Sequence, residues 1–410
     1  MIVNLPVSLR QAGLFRSFPI EVLGHRQGSG VITNIINRGD RPLFNRKYLM
    51  ALVWLLPIAI IALNSLTPSS DLIAERIAEN QLWLKSESTG VKIYFNQGSG
   101  LTSNDKARQT LLLEGLELRL ASPEVQELLE QQQWVVRPQL SSLTTQLQID
   151  AKEPVEAQAL QQFIELLRQP PAVDWIEPIE RINAQIYLAS QNGRQRALDA
   201  LLSSATAEPL AARTYVELVD RTIALLYLSE ETPEPIELAA RNQPSNALQG
   251  KSSVAVRAQR PATLLLWRLD APSSATSYLL QQTLGGLVSA QLAQYPNMRL
   301  QQQLTPEGSL VLLEAGSSEA ELITLLESLK SDPELLNAAI EQLQTRWETA
   351  LEQQPEAWAE VLLLYAVEPQ SLESAFSDLR ASAQKDISEI LQHLKQPADR
   401  RARLFTATSS

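Results

Sequence analysis

The side chains that most often perform catalysis or bind metals are scarce in this sequence. The chain of 410 residues has no cysteine and only two histidines, His25 and His393, which lie near opposite ends. Zinc sites are built from imidazoles, thiolates and carboxylates, so this inventory argues against an imidazole-rich metal centre. It also excludes disulfides and thiolate nucleophiles. A serine triad would have to use His393, and the chain lacks a Gly-x-Ser-x-Gly turn. We therefore expect no resident metal or cofactor.

Charge and length narrow the possible classes further. The formal net charge is -11, and neutralising the phosphates of a nucleic acid needs a basic surface, so nucleic acid is not an expected partner. A chain of 410 residues is too long for one ordinary core and suits two domains of about 150 residues each with an extra segment.

An uncharged apolar stretch at residues 48–63 is the candidate membrane segment. It is somewhat shorter than the ~20 residues that span a bilayer core. Arg46 and Lys47 precede it and the first charges after it are Asp71 and Glu75, so the positive-inside rule predicts a signal-anchor with a cytoplasmic N-terminus. A cleaved secretory signal and a buried core helix are the alternatives. Residues 1–47 show no sustained periodicity and are interpreted as a poorly structured cytoplasmic leader.

Periodicity beyond this stretch predicts alternating helices and strands. The first half is expected to hold a helix at 71–84, a strand at 91–97, one or two helices at 105–132 interrupted near Ser122-Pro123, a strand at 139–150, a helix at 153–170 and further helices over 174–230. The second half is expected to hold strands at 262–270 and 309–317 and helices at 277–294, 319–330, 333–352 and 371–394.

The same order of strand, small-residue break, helix and strand occurs twice, on either side of a segment rich in Pro, Asn, Gln and Ser at 232–253. Such a composition is typical of a linker. The predicted organisation is therefore α+β, with a first lobe at 80–231, the linker, and a second, duplicated lobe at 254–400.

Several motifs resemble those of the insulinase/pitrilysin metallopeptidases, a family that includes the mitochondrial processing peptidase. After the strand at 91–97 comes the helical run Leu111-Leu112-Leu113-Glu114-Gly115, placed like the family's H-x-x-E-H. Farther on, Glu180-Arg181 resembles a Glu-Arg pair that precedes the family's third zinc ligand, which would fall near Gln185. In the second half, Tyr278 followed by Leu284-Gly285-Gly286 is similar to the family's Y-x7-L-G-G pattern, whereas the later substrate-holding Arg and Tyr pattern is absent.

The resemblance implies two duplicated lobes, each an antiparallel sheet covered by helices. It also implies that the zinc motif is degenerate, because Leu111, Gly115 and Gln185 stand where the ligands would be. Glu114 stands where the family has its general base, and an ordinary helix glutamate is the simpler interpretation. We accordingly expect no catalytic, metal or cofactor residues.

Three functions are compatible with this resemblance. The first is a non-catalytic, membrane-anchored subunit that pairs with an active insulinase-family peptidase at the bacterial inner membrane, with both lobes in the periplasm. The second is a chaperone-like scaffold that holds peptide or unfolded protein in a cavity closed between the two lobes. The third is a zinc metallopeptidase with an unrecognised site.

Overall fold

The computed structural model describes residues 73–96, 100–140, 144–172, 175–203, 210–221, 223–238, 250–295, 297–305, 308–316 and 319–406. The expected leader at 1–47 and the apolar segment at 48–63 both lie outside these ranges. Among the helices that the structure does describe, none combines the length and the apolar character needed to cross a bilayer.

The first lobe is a six-stranded sheet with helices on one face. Its elements are β1 Ala74–Ala78, β2 Gln81–Lys85, β3 Gly90–Asn96, α1 Ser103–Leu120, α2 Pro123–Gln132, β4 Val135–Leu140, β5 Thr144–Asp150, α3 Ala157–Arg168, α4 Ile176–Ser190, α5 Gly193–Leu202, α6 Ala212–Arg221 and β6 Ile223–Ser229. The strand order is β1-β2-β6-β3-β5-β4, and only the β2–β6 pair is parallel.

The second lobe is a five-stranded sheet built in the same way. Its elements are β7 Ser253–Arg257, β8 Ala262–Leu269, α7 Ala275–Leu292, β9 Met298–Thr305, β10 Gly308–Ala315, α8 Glu319–Ser328, α9 Pro333–Gln353, α10 Ala357–Leu364, α11 Leu372–Leu394 and β11 Arg400–Phe405. The strand order is β7-β11-β8-β10-β9, with β7–β11 parallel and the other pairs antiparallel.

Local sequence explains where these elements begin. The Thr102 side chain accepts a hydrogen bond from the Asp105 N–H at 3.0 Å and so caps the start of α1. Pro123 occupies the first turn of α2, where its missing N–H has no helical partner to lose, so the predicted interruption near Ser122-Pro123 is confirmed. Along β3, Val91, Ile93 and Phe95 face the helices, as the alternation of the sequence predicts.

The topology repeats, which confirms the duplication expected from the order of elements. In each lobe the last strand inserts between the first and second strands of the repeat, parallel to the first and antiparallel to the second: β6 lies between β2 and β3, and β11 lies between β7 and β8. A hairpin, β4–β5 or β9–β10, extends the sheet on the other side of the second strand. Strand β1 has no counterpart among the described residues of the second lobe.

Several sequence-based expectations about the elements are wrong. Residues 74–85 form β1 and β2 and not a helix, because Leu82 and Leu84 lie on one face of the sheet and Trp83 on the other. The expected strand at 139–150 belongs to two strands, β4 and β5. Strands β6, β7, β9 and β11 and helix α10 were not expected, and β11 extends the second lobe past residue 400. Both sheets were expected to be antiparallel. They are mixed, because the last strand of each lobe pairs in parallel with the first strand of the repeat.

In each lobe the helices of that lobe lie on one face of its sheet, and a helix of the other lobe packs against the opposite face. Helix α10 of the second lobe packs against β2 and β6, while helix α5 of the first lobe packs against β7 and β11. One hydrophobic core therefore contains Leu82, Leu84 and Leu226 of the first sheet together with the second lobe's helices. This shared core joins the two lobes directly, whereas the sequence led us to expect two lobes that close around a cavity.

Candidate functional site

Helices α1 and α4 carry the residues that the resemblance in sequence pointed to. Leu111, Glu114 and Gly115 lie on α1, Gln185 lies on α4, and these two helices pack side by side. Residues 111 and 115 are four apart. They therefore share one face of α1, with the spacing that the two histidines of an H-x-x-E-H helix would have.

This face of α1 is covered by apolar side chains. Leu111 is fully buried, with 0% exposure, in the core of the first lobe. A Cβ atom added to Gly115 would lie 2.3 Å from Tyr215 Cδ2 and 3.0 Å from Trp175 Cη2. The Trp175 and Tyr215 rings lie against each other with centroids 5.8 Å apart, so they occupy the volume that a side chain at position 115 would need.

Tyr215 is held firmly in this position. Its hydroxyl donates a hydrogen bond of 2.7 Å to the Leu167 carbonyl oxygen. Burial raises the pKa of Tyr215 well beyond the usual range of a phenol, outweighing the nearby Arg119 charge, which lowers it. The ring is thus a neutral, hydrogen-bonded part of the core and not a mobile plug.

Glu114 forms an ion pair with Arg181 of the neighbouring helix α4. Arg181 Nη2 lies 2.8 Å from Glu114 Oε2, close enough for an ion pair, although the contact is not aligned as a hydrogen bond. This ion pair joins α1 to α4. Glu114 belongs to the run that resembles H-x-x-E-H, and Arg181 belongs to the Glu-Arg pair farther along the chain. The ion pair orients the Glu114 side chain toward α4, so this glutamate contributes to helix packing.

Gln185 is not part of this arrangement, because its side chain is exposed on the outer surface of α4. Only Ile182 of this helix is buried, whereas Tyr187 and Leu188 are 65% and 69% exposed. Within the ranges that the structure describes, no three His, Asp or Glu side chains lie close enough together to share a metal ion.

A second charged cluster, which sequence reasoning missed, lies where the lobes meet. Lys92 on β3 is 4% exposed, and its Nζ donates to Glu356 at 2.7 Å and to Glu360 at 2.6 Å. Burial lowers the pKa of Lys92, but the Glu360 and Glu356 carboxylates outweigh burial and raise it. A lysine inside the otherwise apolar run VKIYF was the available signal.

Comparisons with known proteins agree with this geometry at the level of the fold. No protein-family model and no curated protein sequence matches the chain. A putative M16-like peptidase from Alicyclobacillus acidocaldarius is 11% identical with a TM-score of 0.51, over 82% of this chain and 98% of that chain.

Two further solved structures align with a similar share of the chain. An M16 peptidase inactive domain from Pseudomonas fluorescens is 14% identical with a TM-score of 0.49, over 82% of this chain and 97% of that chain. The first half of the periplasmic protease PqqL from Escherichia coli is 12% identical with a TM-score of 0.47, over 82% and 92%.

The fold of the chain is therefore similar to that of the M16-like peptidase from Alicyclobacillus acidocaldarius. The described residues account for nearly the whole length of the Alicyclobacillus chain, with both lobes included.

Proposed function

We propose that this protein is a non-catalytic member of the insulinase class that acts as the partner subunit of an active, intact-motif peptidase. The observation that carries this proposal is the state of the α1–α4 pair. Leu111 is core, Trp175 and Tyr215 fill the space at Gly115, and Glu114 is paired with Arg181. The scaffold of a catalytic lobe is kept while the positions for ligands and base are used for packing.

The proposed partner role rests on a chain that keeps the fold of the peptidase class but has other residues at the positions of the zinc ligands. An inactive subunit can still present backbone and side chains that shape a substrate chamber and orient a peptide for a neighbouring active site. The alternative of a peptide-holding scaffold depended on a cavity between the lobes. The shared core that joins the lobes removes the support for that alternative.

The proposal includes a location at the cell envelope. Residues 48–63 would tether the chain to the bacterial inner membrane, with the leader in the cytoplasm and both lobes in the periplasm. Support comes from the uncharged stretch and from the basic residues on its N-terminal side. In this proposal the order along the chain is leader, membrane segment, first lobe from β1 and second lobe from β7.

The test is reconstitution of the full-length chain with an intact-motif relative from the same organism. We expect no peptide hydrolysis by the chain alone, less than about a tenth of a zinc ion per chain after dialysis, and greater hydrolysis by the relative when the two are mixed. Glu114→Gln should leave the stimulated rate unchanged, because Glu114 serves helix packing.

The matched control is Glu117→Gln on the exposed side of the same helix. Hydrolysis by the isolated chain that disappears with Glu114→Gln and persists with Glu117→Gln would show that Glu114 is catalytic. One tightly bound zinc per chain would also contradict the proposal. Failure to stimulate any intact-motif relative would remove the partner role.

A further inference from the structure

The duplicated topology allows the two lobes to be compared strand by strand, and one surface differs sharply. Strands β2 and β6 of the first lobe correspond to β7 and β11 of the second. In both lobes one face of this strand pair is covered by a helix of the other lobe. The opposite face is buried in the first lobe, whereas in the second lobe its residues are exposed within the part of the chain that the structure describes.

In the first lobe this opposite face lies under an extended segment. Trp83, Leu225 and Tyr227 are buried there. The chain that leaves β6, residues 230–238 (EETPEPIEL), has no regular secondary structure and packs Ile236 against the same core.

Ile236 is fixed by its backbone. Gln81 Nε2 donates to the Ile236 carbonyl oxygen at 2.7 Å, and the Ile236 N–H donates to Gln81 Oε1 at 3.0 Å. The Tyr227 hydroxyl donates to the same Gln81 Oε1 at 2.9 Å. The first repeat thus holds an extended peptide across its first and last strands by backbone hydrogen bonds and one buried apolar side chain.

In the second lobe the corresponding face carries arginines. Ser253, Ala255 and Arg257 of β7 lie beside Arg401, Arg403 and Phe405 of β11 in parallel register, and all six are exposed. Their strand neighbours Val254, Val256, Ala402 and Leu404 point the other way, into the core under α5. Phe405 is 43% exposed.

These arginines stand out in an acidic chain with a net charge of -11. Within the ranges that the structure describes, the Arg257 and Arg403 guanidinium groups form no side-chain hydrogen bond or ion pair. Guanidinium groups recognise carboxylates well, and an exposed aromatic ring beside them offers an apolar contact.

We propose that this β7–β11 face binds an extended, acidic segment of a partner chain. The extended shape is inferred from residues 230–238 on the equivalent face of the first lobe, and the acidic character is inferred from Arg257 and Arg403. An apolar residue of the segment would contact Phe405, much as Ile236 contacts the first lobe. This inference adds a binding surface to the proposed partner role. It rests on that proposed function in one respect, which is that the bound segment would belong to the partner peptidase.

The probe is a fluorescent synthetic peptide with the sequence of residues 230–238, which contains four glutamates. It is titrated into the purified full-length chain in low and high salt, with fluorescence anisotropy as the readout. We expect saturable binding that weakens with salt, because exposed charge pairs are screened. The Arg257→Glu/Arg403→Glu double variant should bind at least about tenfold more weakly, and so should a peptide with its four glutamates replaced by glutamine.

The matched control is Arg299→Glu, which reverses an exposed arginine on β9 of the same sheet and should leave binding unchanged. An unchanged thermal midpoint of the double variant shows that folding is intact. The proposal is overturned if the peptide does not bind, if the double variant binds equally well, or if the glutamine peptide competes equally.

Short-chain phosphatidylglycerol below its micelle concentration is titrated in parallel. Arginine-dependent lipid binding without arginine-dependent peptide binding would assign this face to a membrane surface and overturn the proposal. None of these measurements requires a peptidase, so their failure is distinguishable from failure of the reconstitution with an intact-motif relative.

Discussion

Position 115 shows how a single residue determines what the first lobe can do. Gly115 has no side chain, and the Tyr215 and Trp175 rings pack where a Cβ would lie. An imidazole introduced there would have to displace both rings from a close-packed core. A histidine placed at position 115 would therefore not by itself create a metal site in this core.

Two helix glycines provide a direct test of this packing. Gly115→Ala should destabilise the fold by about 1–3 kcal/mol through overpacking, even though alanine is the better helix former. Gly286→Ala on α7 should be neutral or stabilise by up to about 1 kcal/mol, because the nearest atom to its Cβ would be Ala339 Cβ at an ordinary 3.7 Å. Urea unfolding of both variants measures the difference, and equal midpoints would contradict the packing argument.

At the scale of elements, α10 and β3 hold the lobes together through a charged contact as well as an apolar one. Lys92 lies between Glu356 and Glu360, and Arg76 of β1 donates to the Leu362 and Val367 carbonyl oxygens near the end of α10 at 3.2 and 2.8 Å. Breaking such a pair is costly because the groups left behind have been removed from water.

This contact should make stability fall at alkaline pH. The folded-state pKa of Lys92 is raised above the ordinary value of 10.5, so its contribution is complete below that pH and is lost as the pH rises through the folded pKa. Burial and then Glu360 also raise the pKa of Tyr94, and the unfolded chain releases that proton first, which has the same sign.

Lys92→Met should therefore lower the free energy of unfolding by about 1–3 kcal/mol near pH 8, because the two carboxylates left behind are only partly hydrated. Its loss of stability above about pH 10.5 should be shallower than that of the wild type. Lys85→Met, an exposed lysine on β2, is the control. Urea titrations at pH 8 and at alkaline pH supply both numbers, and parallel curves for wild type and Lys92→Met would contradict the argument.

Success in predicting strands did not follow burial: β8 and β10, buried on both faces, were predicted, whereas β2 and β6, also buried on both faces, were not. Helices α8, α9 and α11 and strand β8 were predicted because their periodicity is plain, and Asp332-Pro333 and Ser371 mark where α9 and α11 begin. Strands β1 and β2 were predicted as a helix, since β2 is buried on both faces and shows no alternation.

In the candidate site, α1 and Glu114 could be selected from the spacing of the sequence motifs. The packing of Trp175 and Tyr215 against Gly115 could not be predicted, because these two residues lie 60 and 100 residues farther along the chain.

At the scale of the whole molecule, the reciprocal covering of sheets makes two homologous lobes into one folding unit. Tyr94, Ala224 and Leu226 of the first sheet share a core with Trp358 and Leu362 of α10. Contacts of this extent join lobes far more firmly than the ordinary interface between domains of one chain.

Thermal unfolding of the described region should therefore be a single cooperative transition. Calorimetric and van't Hoff enthalpies should agree, which is the usual sign of one folding unit. Trp358→Ala, at a fully buried position, should lower the one midpoint without splitting it, at a cost of about 3–5 kcal/mol. Phe405→Ala at an exposed position is the control. Two resolved transitions would mean that the lobes fold independently.

The envelope location has its own test, which concerns the complete chain. A C-terminal alkaline phosphatase fusion should be active, because the predicted orientation of residues 48–63 exports everything that follows them. A C-terminal green fluorescent protein fusion exported in the unfolded state should stay dark. The opposite pair of results would place the lobes in the cytoplasm.

The exchange of covering helices also has a consequence for biosynthesis. The last strand of the first sheet ends at Ser229, but the helix that covers Leu82, Leu84 and Leu226 ends at Leu364. About 135 further residues must be synthesised before that cover exists, which takes roughly 7–27 s at bacterial to eukaryotic elongation rates. During this interval the nascent first lobe presents a leucine-rich sheet surface, so a chaperone that shields it before α10 emerges would raise the yield of folded protein.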